Sequence, residues 1–217
     1  MNSEWSELNK TMQKQLKKKD TFHSGIETLL KLRRELMNQI LYFKSSLKEE
    51  DFNEMPYINA TGYHSKTIAY SLYHIFRIED IVANSLIKKS DEIFFSSNYG
   101  ERMKSPIITT GNELIGEEIS EFSSKLALKE LYKYIRDVDE ATTQLLKGLS
   151  FEDLKIEMTN KDKEFLRSLQ VVSEDENALW LIDYWCDKNI QGLIQMPFSR
   201  HWIMHIEASL RIEKKIR

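Results

Sequence analysis

The chain has 217 residues, 41% of them apolar and 30% charged, with a formal net charge of −3. That length suits one sizeable core and a single domain over residues 1–217, and interspersed charges of both signs supply no global field for nucleic acid. Seven glycines and three prolines argue against a turn-rich β protein and for long helices, and the single cysteine excludes an internal disulfide.

Residues 1–20 read as an N-terminal helical arm. Trp5, Leu8, Met12 and Leu16 recur at helical spacing over 4–18, and Lys17-Lys18-Lys19 forms a solvated end where cations suit the helix dipole. The segment has no apolar stretch of the secretory kind. No run in the chain approaches the roughly 20 apolar residues that span a bilayer. With the lone cysteine, these features predict a cytoplasmic protein without a membrane partner.

Ser24-Gly25-Ile26-Glu27 has the form of a capping box. After it an apolar stripe from Ile26 to Phe43 predicts a helix to about residue 46. Residues 51–60, with Pro56, read as a loop. A second helix is expected over 65–88, apolar on several faces and therefore covered by more than one neighbour. Residues 90–123 are irregular, with turn chemistry at Ser96–Gly100 and Thr109–Asn112. A loop of that length inside a domain often covers a site.

A third helix is expected over 126–147, followed by a partly helical stretch over 150–170. Ser173-Glu174-Asp175-Glu176, a second capping-box pattern, opens a helix to about residue 188 that carries Cys186, read as a buried, inert thiol. Gly192 breaks the chain, and Pro197 or Ser199 starts the last helix, to about residue 215. The fold class is all-α.

Three histidines stand out. His201 and His205 are one turn apart, so both imidazoles leave the same helix face. His74 lies within the second long helix. Its face also carries Thr67, Ser71, Ile78, Ile81 and Ser85, while the His201/His205 face continues through Ala208, Ser209 and Ile212. Small and polar neighbours on both stripes leave room beside the rings, and Ser71, Ile78, Trp202 and Ser209 are candidates to line a pocket there. Three imidazoles form a metal site with an open position, and neutral imidazole suits divalent Zn, Ni or Fe. Against this, a lone histidine on an apolar helix is ordinarily a hydrogen-bonded core residue, and an i, i+4 pair also occurs by chance on helix surfaces.

The arrangement resembles the DinB/YfiT-like family of four-helix bundles. That family places one histidine in its second helix, followed by apolar positions and a glutamate five residues on, as in His74-Ile75-Phe76-Arg77-Ile78-Glu79. Its other two ligands form His-x3-His near the start of the last helix, as in His201-Trp202-Ile203-Met204-His205. The match in order and separation covers about residues 24–213. After the third ligand the chain reads His205-Ile206-Glu207-Ala208, where many relatives carry a His-x-Gly-Gln type of tail. The N-terminal arm and the 90–123 insertion are not generic to the family.

The resemblance implies a four-helix bundle with helices near 25–46, 65–88, 126–147 and 198–215. Short extra helices decorate it, and a long insertion separates the second and third bundle helices. It implies a metal-dependent enzyme in which His74, His201 and His205 hold a divalent cation that activates water or a small thiol, as a hydrolase or a thiol-dependent transferase acting on a small-molecule substrate. The alternative is a non-catalytic stress-related or assembly protein whose cation is structural or absent. A homodimer is compatible with such bundles.

Several further residues invite a reading. Glu79 lies about 140° around the helix from His74, so it is expected as a surface charge or an inter-helix hydrogen-bond partner rather than a ligand to the same ion. His23 and His64, near helix starts, are expected to be solvated. Tyr70, Tyr73, Phe76, Trp180, Trp185 and Trp202 fall mostly on core positions. No Ser-His-Asp order, glycine-rich phosphate loop or Cys-x-x-Cys pair is present, so nucleophilic protein catalysis and nucleotide binding have no support.

Overall fold

Asn2 opens the first helix, its side chain accepting hydrogen bonds from the backbone N–H groups of Glu4 and Trp5. The computed structural model describes residues 2–61 and 64–217, so residue 1 of the expected arm lies outside the described residues. Helix α1 (Ser3–Gln15) buries Trp5 and Met12, and with them Leu16, against α2 (Phe22–Ser46) of the same chain. Gly25 permits that approach, because a Cβ there would meet Leu16 Cδ2 at 2.8 Å. Close approach, not capping, is thus the role of the Ser24–Glu27 segment. The chain turns back through a 3-10 turn at Lys19–Thr21, where Thr21 Oγ1 donates to the Gln15 carbonyl, and α2 starts three residues earlier than the motif suggests.

Helix α3 (Ile68–Asp80) is buried at every one of its thirteen positions and continues as a π-helical run, Ile81–Lys88. Thr67 caps it, Oγ1 accepting from the Tyr70 N–H at 3.0 Å. The expected start at residue 65 therefore shifts, and His64, Ser65 and Lys66 precede the helix. The stretch expected to be irregular contains three short helices, α4 (Ile93–Ser96), α5 (Tyr99–Arg102) and α6 (Glu117–Lys125). The Asp80 carboxylate caps α4 by accepting from the N–H groups of Ile93 and Phe94. Between α5 and α6 the chain crosses α3 as a strap, described below.

Helix α7 (Leu128–Gly148) follows, then α8 (Asn160–Ser168), capped reciprocally by Thr159 and Asp162. Helix α9 (Glu176–Cys186) is capped by Asp175 rather than by Ser173. Ser173 Oγ accepts from the Asp175 N–H instead, which delays the helix start to Glu176. Cys186 is buried and free, and burial pushes its thiol pKa up to about 11, in keeping with an inert role. Helix α10 (Ile190–Gln195) leads through a π-helical turn, Met196–Arg200, into α11 (His201–Ile216). Among the described residues no strand forms; Glu157 and Asn189 make an isolated antiparallel bridge. No helix of the described residues is long and apolar enough to cross a membrane.

Helix α3 packs on α7 and α11, and both of those also pack on α2. The apolar side chains form two clusters, one including Leu36, Phe43, Phe76 and Ile206, the other including Leu29, Val82, Trp185 and Phe198. Between them a buried polar group ties the four long helices together. Arg33 Nη1 and Nη2 donate to the two oxygens of Glu79 at 2.9 and 2.7 Å, Nη2 also donates to Asp139 at 2.6 Å, and the guanidinium lies 4.3 Å from the Trp202 ring centre. Trp202 Nε1 donates to Glu79 at 2.8 Å. Glu79 is fully buried, so of the two expectations for it the surface charge is wrong and the inter-helix hydrogen bond is right.

Candidate metal centre

His74 faces inward from the middle of α3, and His201 and His205 occupy the first and fifth positions of α11. The three side chains are buried, and each offers a ring nitrogen within 4.8 Å of the others. Ring centroids lie 4.9, 4.8 and 4.6 Å apart around the triangle. Nε2 of His74 and Nε2 of His201 are 3.1 Å apart. Two ligands on a tetrahedral cation with bonds near 2.0–2.1 Å would sit about 3.3 Å apart, so this pair already has nearly the spacing a metal requires. Among the described His, Cys, Asp and Glu residues, the group consists of these three.

One tautomer is fixed. His74 Nδ1 lies 2.8 Å from the Thr110 carbonyl oxygen, which can only accept, so Nδ1 carries the proton and Nε2 presents a lone pair to the cluster. His201 Nδ1 is buried without a hydrogen-bond partner among the described residues. Burial drives the basicity of all three down. His74 falls to about 4 despite its bond to Thr110, and His201 and His205 fall well below the usual histidine range, with His74 adding repulsion at His201 and His201, His74 and Lys66 adding it at His205. At neutral pH the three rings are uncharged, the form in which imidazole binds metal.

The carbonyl that orients His74 belongs to the strap, and the strap is gripped by α3 itself. Tyr73 Oη donates to the carbonyls of Ile107 and Thr109 at 3.1 and 3.0 Å, and Arg77 Nε and Nη2 donate to that of Ile108 at 3.0 and 2.7 Å. Tyr70 Oη donates to Gly111 at 2.9 Å. With the His74 contact, five consecutive carbonyls are held by four side chains of one helix. Arg77 is balanced from the other side by Glu92 at 2.8 Å. Gly111 sits at φ 80°, where a Cβ would also meet the Tyr70 ring at 3.1 Å.

Two cavities meet at the cluster. The larger, about 560 Å³, is lined by Ser65, Lys66, Tyr70 and Asn177 among others, and the smaller, about 250 Å³, by Ile78, Tyr184, Trp185, Met196 and Met204 among others. His74, His205, Asn112 and Trp180 line both. Thr110 Oγ1 donates to Asn112 Oδ1 at 2.9 Å, which leaves the amide nitrogen as the free end of that side chain. Tyr70 stacks on His74 with centroids 5.4 Å apart, and Lys66 Nζ lies 4.7 Å from the centre of the Tyr70 ring.

Comparison with known proteins gives no further guide. No protein-family model matches the chain, and no curated protein matches it.

The other expected residues fall in varied places. Ile78 lines the smaller cavity, but Ser71, Trp202 and Ser209 line neither. Ser71 and Ser209 donate to the carbonyls one turn back, of Thr67 and His205. Trp202 is fully buried because the residue after an inward His201 points about 100° away, toward Arg33 and Glu79. Trp180, expected in the core, is 50% exposed at the junction of the cavities, where its indole N–H donates to the Asn177 carbonyl. His23 is exposed; His64 is part-buried, with Nδ1 3.0 Å from Arg211 Nη1. Sequence reasoning missed Lys66, Tyr70 and Asn112 as cavity residues. A signal existed for Tyr70, one turn before His74 on the same helix face, but not for Lys66, which precedes the helix.

Proposed function

We propose that the protein is a metal-dependent enzyme in which His74, His201 and His205 hold one divalent cation, zinc, nickel or iron. Bound there, the cation would act as a Lewis acid that lowers the pKa of water or of a small thiol, the basis of hydrolysis or thiol transfer. The observation that carries this reading is the convergence of three uncharged imidazoles where two cavities join, with no fourth histidine, cysteine or carboxylate among the described residues completing the group. A purely structural cation is normally enclosed by four protein ligands, whereas a catalytic one keeps a position open.

The protein's own groups have distinct tasks in this reading. Thr110, through its carbonyl, orients His74. Asn112 directs an amide N–H group toward the space beside the rings. Trp180 flanks the same junction and narrows the access of water. The DinB-like resemblance fits this assignment. The cyclic packing of α2, α3, α7 and α11 suits a four-helix bundle, with the candidate ligands on the second and last of those helices, and in such a bundle residues 90–123 would be an insertion between the second and third. The same reading puts the protein in the cytoplasm.

Elemental analysis of protein purified without a polyhistidine tag tests it. One transition-metal ion per chain is expected, lost in His201→Ala. Wild-type protein without stoichiometric metal refutes the enzyme reading, and full retention by the variant refutes the ligand assignment.

A further inference from the structure

The described lining of both cavities contains no aspartate or glutamate, in a chain with 34 of them. The three candidate ligands are neutral, so a dication there brings uncompensated positive charge. Lys66 adds to it. Its ammonium group lies against the Tyr70 ring and forms no ion pair with any described carboxylate. The ring it touches is stacked on His74, so the 4.7 Å and 5.4 Å separations put the ammonium within about 10 Å of the His74 ring centre. A half-buried ammonium group with no carboxylate paired to it, beside a cation held by neutral ligands, favours an anion from solution.

The smaller cavity has the opposite character. Trp180, Leu181, Trp185, Met196, Pro197 and Met204 surround it, and methionine with flat aromatics makes an adaptable apolar wall. The two chambers have His74, Asn112, Trp180 and His205 as common walls. A single molecule reaching from one to the other passes the histidine cluster on the way.

We propose that the joined cavities bind an organic anion, its acidic group paired with Lys66 and its apolar arm lying against Trp185, Met196 and Met204. This deepens the enzyme reading above and rests on it for the metal. The anionic end anchors the molecule, the apolar end sets its length, and the part between them is presented to the histidines and to the Asn112 amide. Hydrogen bonding there adds orientation to what the ion pair supplies.

Octanoate is a suitable probe, titrated calorimetrically into zinc-loaded and metal-free protein beside octanol, octylamine and butanoate, with zinc content measured on the same samples. Octanoate is expected to bind at least tenfold more tightly than each of the other three. Lys66→Met is expected to lose at least tenfold for octanoate while octanol changes less than twofold, and Lys66→Arg to retain most of the affinity. Octanoate binding no better than octanol, or unimpaired in Lys66→Met, overturns the anion assignment. Butanoate binding as well as octanoate overturns the role of the apolar chamber. Protein that holds zinc but ignores octanoate refutes this inference and leaves the metal reading standing. Lys66-dependent octanoate binding by protein that takes up none of zinc, nickel or iron refutes the metal reading and leaves the anion site standing.

Discussion

His74 Nδ1 and the carbonyl oxygen of Thr110 are 2.8 Å apart, so an α3 side chain that reaches the cluster is oriented by the backbone of a segment outside the long helices. The strap is therefore part of the site. Groups that orient a metal-binding imidazole typically change metal affinity 10- to 100-fold when lost. Tyr70→Phe removes the donor to Gly111 while keeping the ring stacked on His74. We expect it to cost about 1 kcal/mol of stability and to weaken zinc binding several-fold in a chelator competition. Unchanged zinc affinity would show that the strap only covers the site.

Gly111→Ala probes the same contact from the other side. At φ 80° a non-glycine residue costs about 1–2 kcal/mol, and the added methyl presses on Tyr70. Urea unfolding should show a loss of that size together with weaker zinc binding. A neutral effect on both would mean that the Tyr70–His74 stack is not fixed by the strap.

Glu79 is buried between Arg33 and Trp202. Glu79→Leu leaves Arg33 with only the half-buried Asp139 as counter-charge, and a loss of about 3–5 kcal/mol is expected. Arg33→Met combined with Glu79→Leu should recover a large part of it, because an apolar pair removes the uncompensated charge. Equal unfolding midpoints for the single and double variants would contradict this account.

The buried histidines give the metal-free protein a defined pH dependence. Their folded-state basicity is depressed, so the unfolded chain binds more protons and stability rises with pH. The full contribution is present above the unfolded value of about 6.5 and is lost as pH falls toward the folded value, about 4 for His74. A shift of that size corresponds to roughly 3 kcal/mol for His74 alone. Urea midpoints of metal-free wild type should drop between pH 7 and pH 4.5, and less steeply for His74→Gln. Parallel profiles for the two proteins would rule out His74 as a source of the effect.

The helical class was legible because 3.6-residue periodicity survives in long segments such as Ile26–Phe43. The ends were less legible. Ser24 and Ser173 have capping chemistry, but tertiary packing at Gly25 and a local turn at Asp175 decide where those helices begin. The metal candidates could be read because two share one face and all three are histidines. The strap could not, since its shape depends on backbone carbonyls, which every sequence possesses. Trp180, expected in the core, meets the cavities, and Trp202 keeps its core position without reaching a pocket, because periodicity reports which residues share a stripe but not which stripe meets a cavity.

The grip on residues 107–111 has a bearing on how this region tolerates change. The helix grips main-chain oxygens there, so most substitutions at the exposed Ile108 should leave the crossing in register, whereas Ile107 also packs its side chain on the core. The instructions for that loop's shape are written some thirty to forty residues upstream, in Tyr70, Tyr73, His74 and Arg77.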